Sequence, residues 1–377
     1  MARCAVPVYD ILPWKRPASA GMGGTMISVM SSRERMQAAY ENRPADRWPF
    51  VPSIYEHGAR VLGCAPVDAA RSADAMAQAA IASWETYRHD LVTVGIDIYN
   101  IEAEAFGCRV SSGDHASIPG IVSHPLADQD ELNPDVLTLP QPGPANRLGL
   151  IVEASARVRA RIGGEVWVNG CMGGPFSQAV ELRGFENLVA DMREAPERVH
   201  ALLEKTTALS LQQAARLSEA GCGVNLFESW ATIPLIDPPT FGAYVVPYNK
   251  RILETILSRF RTPPPSLIMG GNTARLMDHF IEARTSLVVA DFNTDFDFMR
   301  AKTAGRRMMV RGCVDPKLIE KADWPRVEEQ AAKLAAKARG MNNFVWGCGA
   351  VSYNTRPEDL LRFREVCLRQ SPSRSSS

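Results

Sequence analysis

Eight short apolar runs, each followed by a longer segment with helical patterning, constrain this chain more than any other feature. They lie at 48–54, 91–98, 165–169, 224–228, 266–270, 286–291, 307–311 and 343–347. Several are apolar almost throughout, as in Leu287-Val288-Val289-Ala290. A strand with one wet face alternates apolar and polar residues, whereas a strand covered on both faces does not. Between the runs, apolar residues recur at helical spacing. In 194–220 they are Val199, Leu202, Leu203, Leu209 and Leu211, with Thr206 on the same face. The segments 239–260 and 324–339 follow suit, and Asn272 is placed to cap a helix over 273–283. Eightfold strand–helix alternation predicts an α/β fold of the (β/α)8 TIM-barrel type. A doubly wound sheet is the alternative, but no Gly-x-Gly-x-x-Gly follows the first run.

Composition narrows the partners. Lys plus Arg equals Asp plus Glu, 42 against 42, which gives no electrostatic case for nucleic acid or an acidic membrane surface. No apolar run approaches the roughly 20 residues that a membrane helix needs. The eight cysteines are scattered with no Cys-x-x-Cys pair, which speaks against a finger or ribbon zinc site and for reduced, cytoplasmic thiols. Residues 1–28 read as an N-terminal extension, 29–370 as one barrel domain and 371–377 as a polar tail. The least regular stretch, 108–145, is long enough to be a lid or a decorated surface loop.

A barrel of this kind carries its chemistry at the carboxyl ends of its strands. Those positions supply Tyr55 and His57, then Asp97, Tyr99 and Asn100, then Glu228 and Trp230, then Asp291, Arg311 and Cys348. A carboxylate at the end of an apolar strand needs a partner to offset its burial. Asp97, Glu228 and Asp291 therefore either cap a helix, pair with an arginine such as Arg311, or do chemistry. His57 is the histidine nearest a strand end and is a candidate for metal binding or proton transfer near neutral pH. His89, His115, His124, His200 and His279 fall in loops and helices and read as surface or locally bonded. Cys348 stands between two glycines, which permit close approach of a ligand.

Several runs, in order, resemble the uroporphyrinogen decarboxylase superfamily, and within it the corrinoid-linked methyltransferases of the methylcobalamin:coenzyme M type. Asp97 to Gly107, with Glu102-Ala103-Glu104-Ala105, is similar to the second strand and its exit in that branch. Gly174-Pro175-Phe176-Ser177 resembles a Gly-Pro-Phe-Thr run, and Glu228-Ser229-Trp230 an Asp-Ser-Trp run. Gly312-Cys313-Val314-Asp315-Pro316 resembles Gly-Asn-Val-Asp-Pro. Leu267-Ile268-Met269-Gly270-Gly271-Asn272-Thr273 resembles a Leu-His-x-Cys-Gly-Asn-Thr run whose His and Cys bind zinc. Here those positions hold Ile268 and Gly270, while Cys348 matches the third ligand. The arginine loop that holds porphyrin carboxylates in the decarboxylase branch is missing after the first strand.

The resemblance implies a methyltransferase working with a corrinoid on a separate protein, because the chain has no Asp-x-His-x-x-Gly run of its own. The expected substrate is a small methyl donor or acceptor, and a homodimer is the family-level expectation. Asp97, Glu228 and His57 are the expected catalytic residues. Tyr55, Tyr99, Asn100, Trp230 and Arg311 are expected to bind substrate. A rebuilt zinc site would draw on Cys348, His57, Glu228 and Asp291. The other readings are a metal-free decarboxylase or lyase acting on a small acid through Asp97, and a small-ligand-binding barrel without catalysis.

Overall fold

The computed structural model describes residues 30–98, 100–113, 116–143 and 146–372. The expected N-terminal extension, Tyr99, His115 and residues 373–377 of the expected tail lie outside the described residues. The strands in chain order are β1 (Leu91–Val94), β2 (Arg109–Val110), β3 (Ile121–Ser123), β4 (Trp167–Gly173), β5 (Gly223–Phe227), β6 (Ser266–Ile268), β7 (Leu287–Ala290), β8 (Met309–Val314) and β9 (Phe344–Cys348).

β1, β4, β5 and β6 form one parallel run, and β7, β8 and β9 another. Ser286 N donates to Pro265 O at 3.1 Å, joining the start of β7 to that of β6. The other gap is closed by the segment 49–53. It makes parallel bridges from Phe50 to Trp346 of β9 and from Ser53 to Ala350 just beyond it, and Asp90 N donates to Phe50 O at 2.8 Å beside β1. The eight expected strand regions therefore make a closed ring, with the first reduced to two bridges.

Helices cover the outside. A β-carbon on Gly312 of β8 would point outward, 2.8 Å from Leu334 of the helix Trp324–Ala338, so its neighbours Arg311 and Cys313 project the opposite way, into the lumen. Phe50 packs on Phe363 of the helix Pro357–Gln370, while Trp48, Phe344 and Trp346 meet edge to face. At the base, Asp90 accepts from Arg35, Arg47 and the amide of Phe50. This buried network ties the helix Ser32–Tyr40 to the first strand region.

The expected boundaries shift where small residues carry no strand pattern. β4 runs on through Asn169-Gly170-Cys171-Met172-Gly173, and β8 through Gly312 to Val314. Arg311 therefore lies inside its strand and not at its end. The segment 239–260 is two helices, Pro238–Tyr244 and Val246–Arg259. Asn272 caps nothing: a short 3-10 turn at Ala274–Leu276 precedes the helix Met277–Ala283, and neither has a side-chain cap. Within 108–145 the chain forms the β2–β3 hairpin and a turn at Pro134–Val136.

Candidate active site

Asp97 leaves the ladder just after β1 and is fully buried. One oxygen accepts from Asn100 Nδ2 at 2.8 Å and from the Asn100 amide at 3.3 Å, closing a turn. The other accepts from Arg147 Nη1 at 2.5 Å. Arg147 also donates to Glu104, and Asn100 Nδ2 reaches Pro119 O at 2.5 Å. Arg147 is the first residue of the helix Arg147–Ile162, so it is delivered by the end of the irregular segment. Burial raises the carboxyl pKa of Asp97, and Arg147 and Asn100 offset only part of that.

Glu102, one turn further on, is 2% exposed. Burial pushes its carboxyl up to about 7; the Gly173 amide opposes this and the charge of Asp97 adds to it. An acid held there exchanges its proton near neutral pH, as general acid–base chemistry requires. Cys171 of β4 is buried beside both carboxyls, and its thiol is raised well above the usual range, by burial first and then by Glu102 and Asp97. Sequence reasoning singled out Asp97 and Asn100. It noted Glu102 only as part of a run and missed Arg147, which sits more than forty positions away with no strand-end signal.

Glu228 follows β5 and is likewise fully buried. Its oxygens accept from the amides of Phe176 and Ser177, at 3.1 and 2.8 Å, from Ser177 Oγ at 2.8 Å and from Asn249 Nδ2 at 2.9 Å. Those amides open the helix Pro175–Arg183, where the helix dipole favours an anion. A β-carbon on Gly174 would lie 2.2 Å from Glu228 Cδ, so the Gly-Pro-Phe-Ser run needs its glycine to admit this carboxylate. Of the alternatives open for a strand-end acid, helix capping is the one realised here.

The lumen is polar. Asn225 of β5 accepts from Asn169 of β4 and donates past β4 to Thr93 of β1, both at 2.8 Å. Above them Tyr55 and Phe227 meet edge to face at 5.6 Å between ring centroids. Arg311 and Cys313 enter from the opposite wall. Among the described residues Arg311 forms no ion pair with Asp97, Glu228 or Asp291; Cys313, Tyr55 and Cys348 act on it instead. Burial lifts the Cys313 thiol to about 11 and that of Cys348 to about 12.

His57 does not reach this space. It lies in the first turn of the helix Glu56–Leu62, with Nδ1 3.2 Å from Ser352 O and Nε2 2.8 Å from Tyr87 Oη. A carbonyl can only accept, so Nδ1 carries the proton and Nε2 accepts from the tyrosine. Burial lowers its pKa to about 4. His89, read from the sequence as surface or locally bonded, is 3% exposed, also with a pKa lowered to about 4 by burial. Trp230, half-buried, donates to Glu181 Oε1 at 2.7 Å and stacks on Phe185 at 5.6 Å.

The four residues expected to rebuild a zinc site do not converge. Among the described residues no group of three or more His, Cys, Asp and Glu is placed to hold a metal ion. His57 and Glu228 are committed to the bonds above. Asp291 accepts from the amides of Gly271 and Phe292, at 3.1 and 2.9 Å. Ile268 and Gly270 supply no donor, although a β-carbon on Gly270 would lie 3.6 Å from Asp291 Oδ2. The donor set does not fit the zinc that the resemblance implies.

The uroporphyrinogen decarboxylase (URO-D) family matches residues 31–369. Methylcobamide:CoM methyltransferase MtbA of Methanosarcina mazei is 27% identical over 333 residues, covering 86% of this chain and 94% of that protein. A uroporphyrinogen decarboxylase of Pelobacter propionicus is 25% identical over 243 residues, covering 63% of this chain and 69% of that one. A solved methyltransferase from Methanosarcina mazei superposes with a TM-score of 0.76 at 17% identity, over 90% of this chain and 98% of that chain. At that identity the superposition bears on the fold, and it agrees with the barrel.

Proposed function

The chain belongs to the uroporphyrinogen decarboxylase family, and from that premise we propose that it is the methyltransferase component of a corrinoid-dependent methyl-transfer or demethylation system. A small substrate binds in the barrel mouth, and its methyl group passes to or from a corrinoid on a separate protein. The names of the relatives that span 86% of the chain support this reading. The corrinoid, when its protein docks, supplies the cobalt that gives or takes the methyl group. A cytoplasmic homodimer completes the proposal. Among the described residues no helix is long and apolar enough to cross a membrane.

The observation that carries the mechanism is the burial of two carboxyls on the exit of β1, Asp97 fixed by Arg147 and Glu102 one turn on, with burial raising the Glu102 carboxyl to about 7. In the demethylation direction a bond between a methyl carbon and a heteroatom breaks, and the heteroatom must gain a proton. Glu102 donates it from its carboxyl and regains one from water. Asp97 keeps negative charge beside Glu102 and so keeps that proton on it, while Arg147 and Asn100 hold Asp97 in place. In the reverse direction Glu102 accepts the proton. Glu228 and His57 serve the scaffold in this proposal, and no zinc-bound thiol takes part because its donors are not assembled.

A second reading is favoured by the decarboxylase relatives together with the buried Asp97: loss of carbon dioxide from a small acid, with Asp97 stabilising a developing cation. The two separate in one experiment. Purified protein is given methylcobalamin and candidate acceptors, with methyl transfer followed by corrinoid absorbance and carbon dioxide collected in parallel from candidate acids. Corrinoid turnover supports methyl transfer; carbon dioxide without it supports the second reading.

A further inference from the structure

The carboxyls that the methyl-transfer reading uses are shut away: Asp97 is 0% and Glu102 2% exposed. A substrate that takes a proton from Glu102 has to reach it, so a covering segment must move. The irregular 108–145 stretch is the one that passes over this corner. Beyond His124 it is strapped to the neighbouring helices. Leu126 N donates to Leu182 O at 3.0 Å, and Arg183 Nη1 donates to Leu126 O and Gln129 O at 2.5 and 2.9 Å. Lys205 Nζ donates to Pro134 O and Leu137 O at 2.7 and 2.8 Å.

The β2–β3 hairpin ahead of that strap is braced within itself. Ser111 N donates to Gly120 O at 2.8 Å, Gly120 N to Ser111 Oγ at 2.9 Å, and Arg109 Nε to Ser123 Oγ at 3.0 Å. Its two ends meet at one atom of the helix Pro175–Arg183. Cys108 Sγ donates to Glu181 O at 3.1 Å, and His124 Nδ1 lies 2.6 Å from the same oxygen. A carbonyl only accepts, so Nδ1 carries the proton. A unit that is stiff within itself and rooted at one point turns about that point as a body. One side faces water, with Val122 58% exposed, while the other sets Ile118 and Ile121 against the core and buries Pro119.

Asn100 joins this hairpin to the site. Its amide nitrogen carries two hydrogens, and both are placed: one on Asp97 Oδ1 at 2.8 Å, the other on Pro119 O at 2.5 Å. The two bonds are unequal, because a carboxylate accepts a charge-assisted bond about twice as strong as one to a neutral carbonyl. When the hairpin lifts, the Pro119 bond breaks and Asn100 stays with Asp97.

We propose that the β2–β3 hairpin is the lid of this site, hinged at Glu181 O and latched shut by Asn100, which bridges Pro119 O to Asp97. The inference rests on the reading that Asp97 and Glu102 do the chemistry, but the hinge and the latch are read without substrate. Asn100 is a positioning residue here, acting through Asp97 and through the lid.

The test is hydrogen exchange of the full-length protein, followed by mass spectrometry in the absence of substrate and corrinoid. Peptides covering 109–123 are compared with those covering β4 and the helix Arg147–Ile162, in wild type, Asn100→Ala and Asn100→Asp. In the wild type the hairpin amides are expected to be protected at least about 10-fold less than β4, because the lid opens without the barrel. The fast region is expected to end at His124, with the Leu126 amide outside it. Losing one hydrogen bond to a neutral carbonyl shifts an opening equilibrium about 3- to 10-fold, so Asn100→Ala is expected to speed hairpin exchange by that factor and leave β4 unchanged. Asn100→Asp keeps the shape, loses both donors and is expected to open the hairpin at least as far. Hairpin protection equal to that of β4 in the wild type overturns the proposal. So does unchanged hairpin exchange in Asn100→Ala, or an acceleration that spreads to β4 and the helix Arg147–Ile162, as a merely structural Asn100 would give. If neither variant folds, the wild-type comparison decides. Hairpin opening as predicted, with no corrinoid turnover, refutes the methyl-transfer reading and leaves the lid. Corrinoid turnover with a hairpin as protected as β4 refutes the lid and leaves the reading.

Discussion

Arg147 Nη1 lies 2.5 Å from Asp97 Oδ2, joining the first residue of a helix to a carboxylate 50 positions earlier. The contact is buried on both sides, with Arg147 7% and Asp97 0% exposed. It turns the exit of the irregular 108–145 segment into part of the site, because the residue that emerges from that segment fixes the acid at the end of β1.

Breaking this pair has a directional consequence. Arg147→Met leaves Asp97 buried without its cation and is expected to cost about 3–5 kcal/mol. Asp97→Asn keeps the bond to Asn100, leaves Arg147 with Glu104 and costs less. Chemical denaturation of both variants checks the order. Both lose corrinoid turnover, by at least about 100-fold for Asp97→Asn if it holds the proton on Glu102.

Glu102 predicts an unusual pH dependence. Its folded pKa, about 7, lies above the unfolded value, so folding takes up a proton between the two. The stability linked to that proton is fully present below the unfolded pKa and is lost as pH rises through about 7. Glu102→Gln removes the penalty. The variant is expected to be more stable than the wild type at pH 8, by up to about 3 kcal/mol, and equal to it near pH 4.5. It is also expected to be inactive. Denaturation midpoints at the two pH values test this, and a variant less stable at pH 8 contradicts it.

His57 and His89 predict loss of stability in mild acid. Both have folded pKa values lowered to about 4, below the usual imidazole range near 6.5. The unfolded chain therefore binds protons that the folded one refuses. Stability is full above about pH 6.5, falls as pH drops through that value and levels off near the folded pKa. Each histidine contributes up to about 3 kcal/mol to this slope. Melting curves from pH 7 to pH 4.5 should show it, and His57→Gln should flatten it; a slope unchanged in the variant would assign it elsewhere.

The ring of strands was legible because buried parallel strands write themselves as apolar runs. Asp97 and Asn100 were legible for the same reason, since a polar residue at the end of such a run stands out. Arg147 was not, because nothing local distinguishes a helix-opening arginine that pairs inward from one that faces water. Arg311 was found as a residue but misplaced, since Gly312 and Cys313 carry no strand pattern and the strand continues through them. His57 misled because position along the chain near a strand end does not fix direction: its ring turns outward to Tyr87 and Ser352. Glu228 needed the Gly174 contact, which joins two distant runs, before its helix-capping role showed.

The metal expectation is also testable. Because Ile268 and Gly270 lack donors and the remaining candidates do not converge, purified protein refolded with zinc should retain less than about a tenth of an equivalent above Cys348→Ala. Introducing Ile268→His with Gly270→Cys restores two donors, that at 270 beside Asp291, and should raise retained zinc towards one equivalent. Stoichiometric zinc in the unaltered protein would contradict the structural account of this site.

The most direct measurement is corrinoid methyl transfer itself, with wild-type protein and Glu102→Gln side by side. Methylcobalamin and a series of small candidate acceptors are supplied, and the corrinoid spectrum is followed over time with carbon dioxide collected in parallel. The account predicts protein-dependent demethylation of the corrinoid by at least one acceptor, lost in Glu102→Gln. Carbon dioxide release with an unchanged corrinoid spectrum would contradict it.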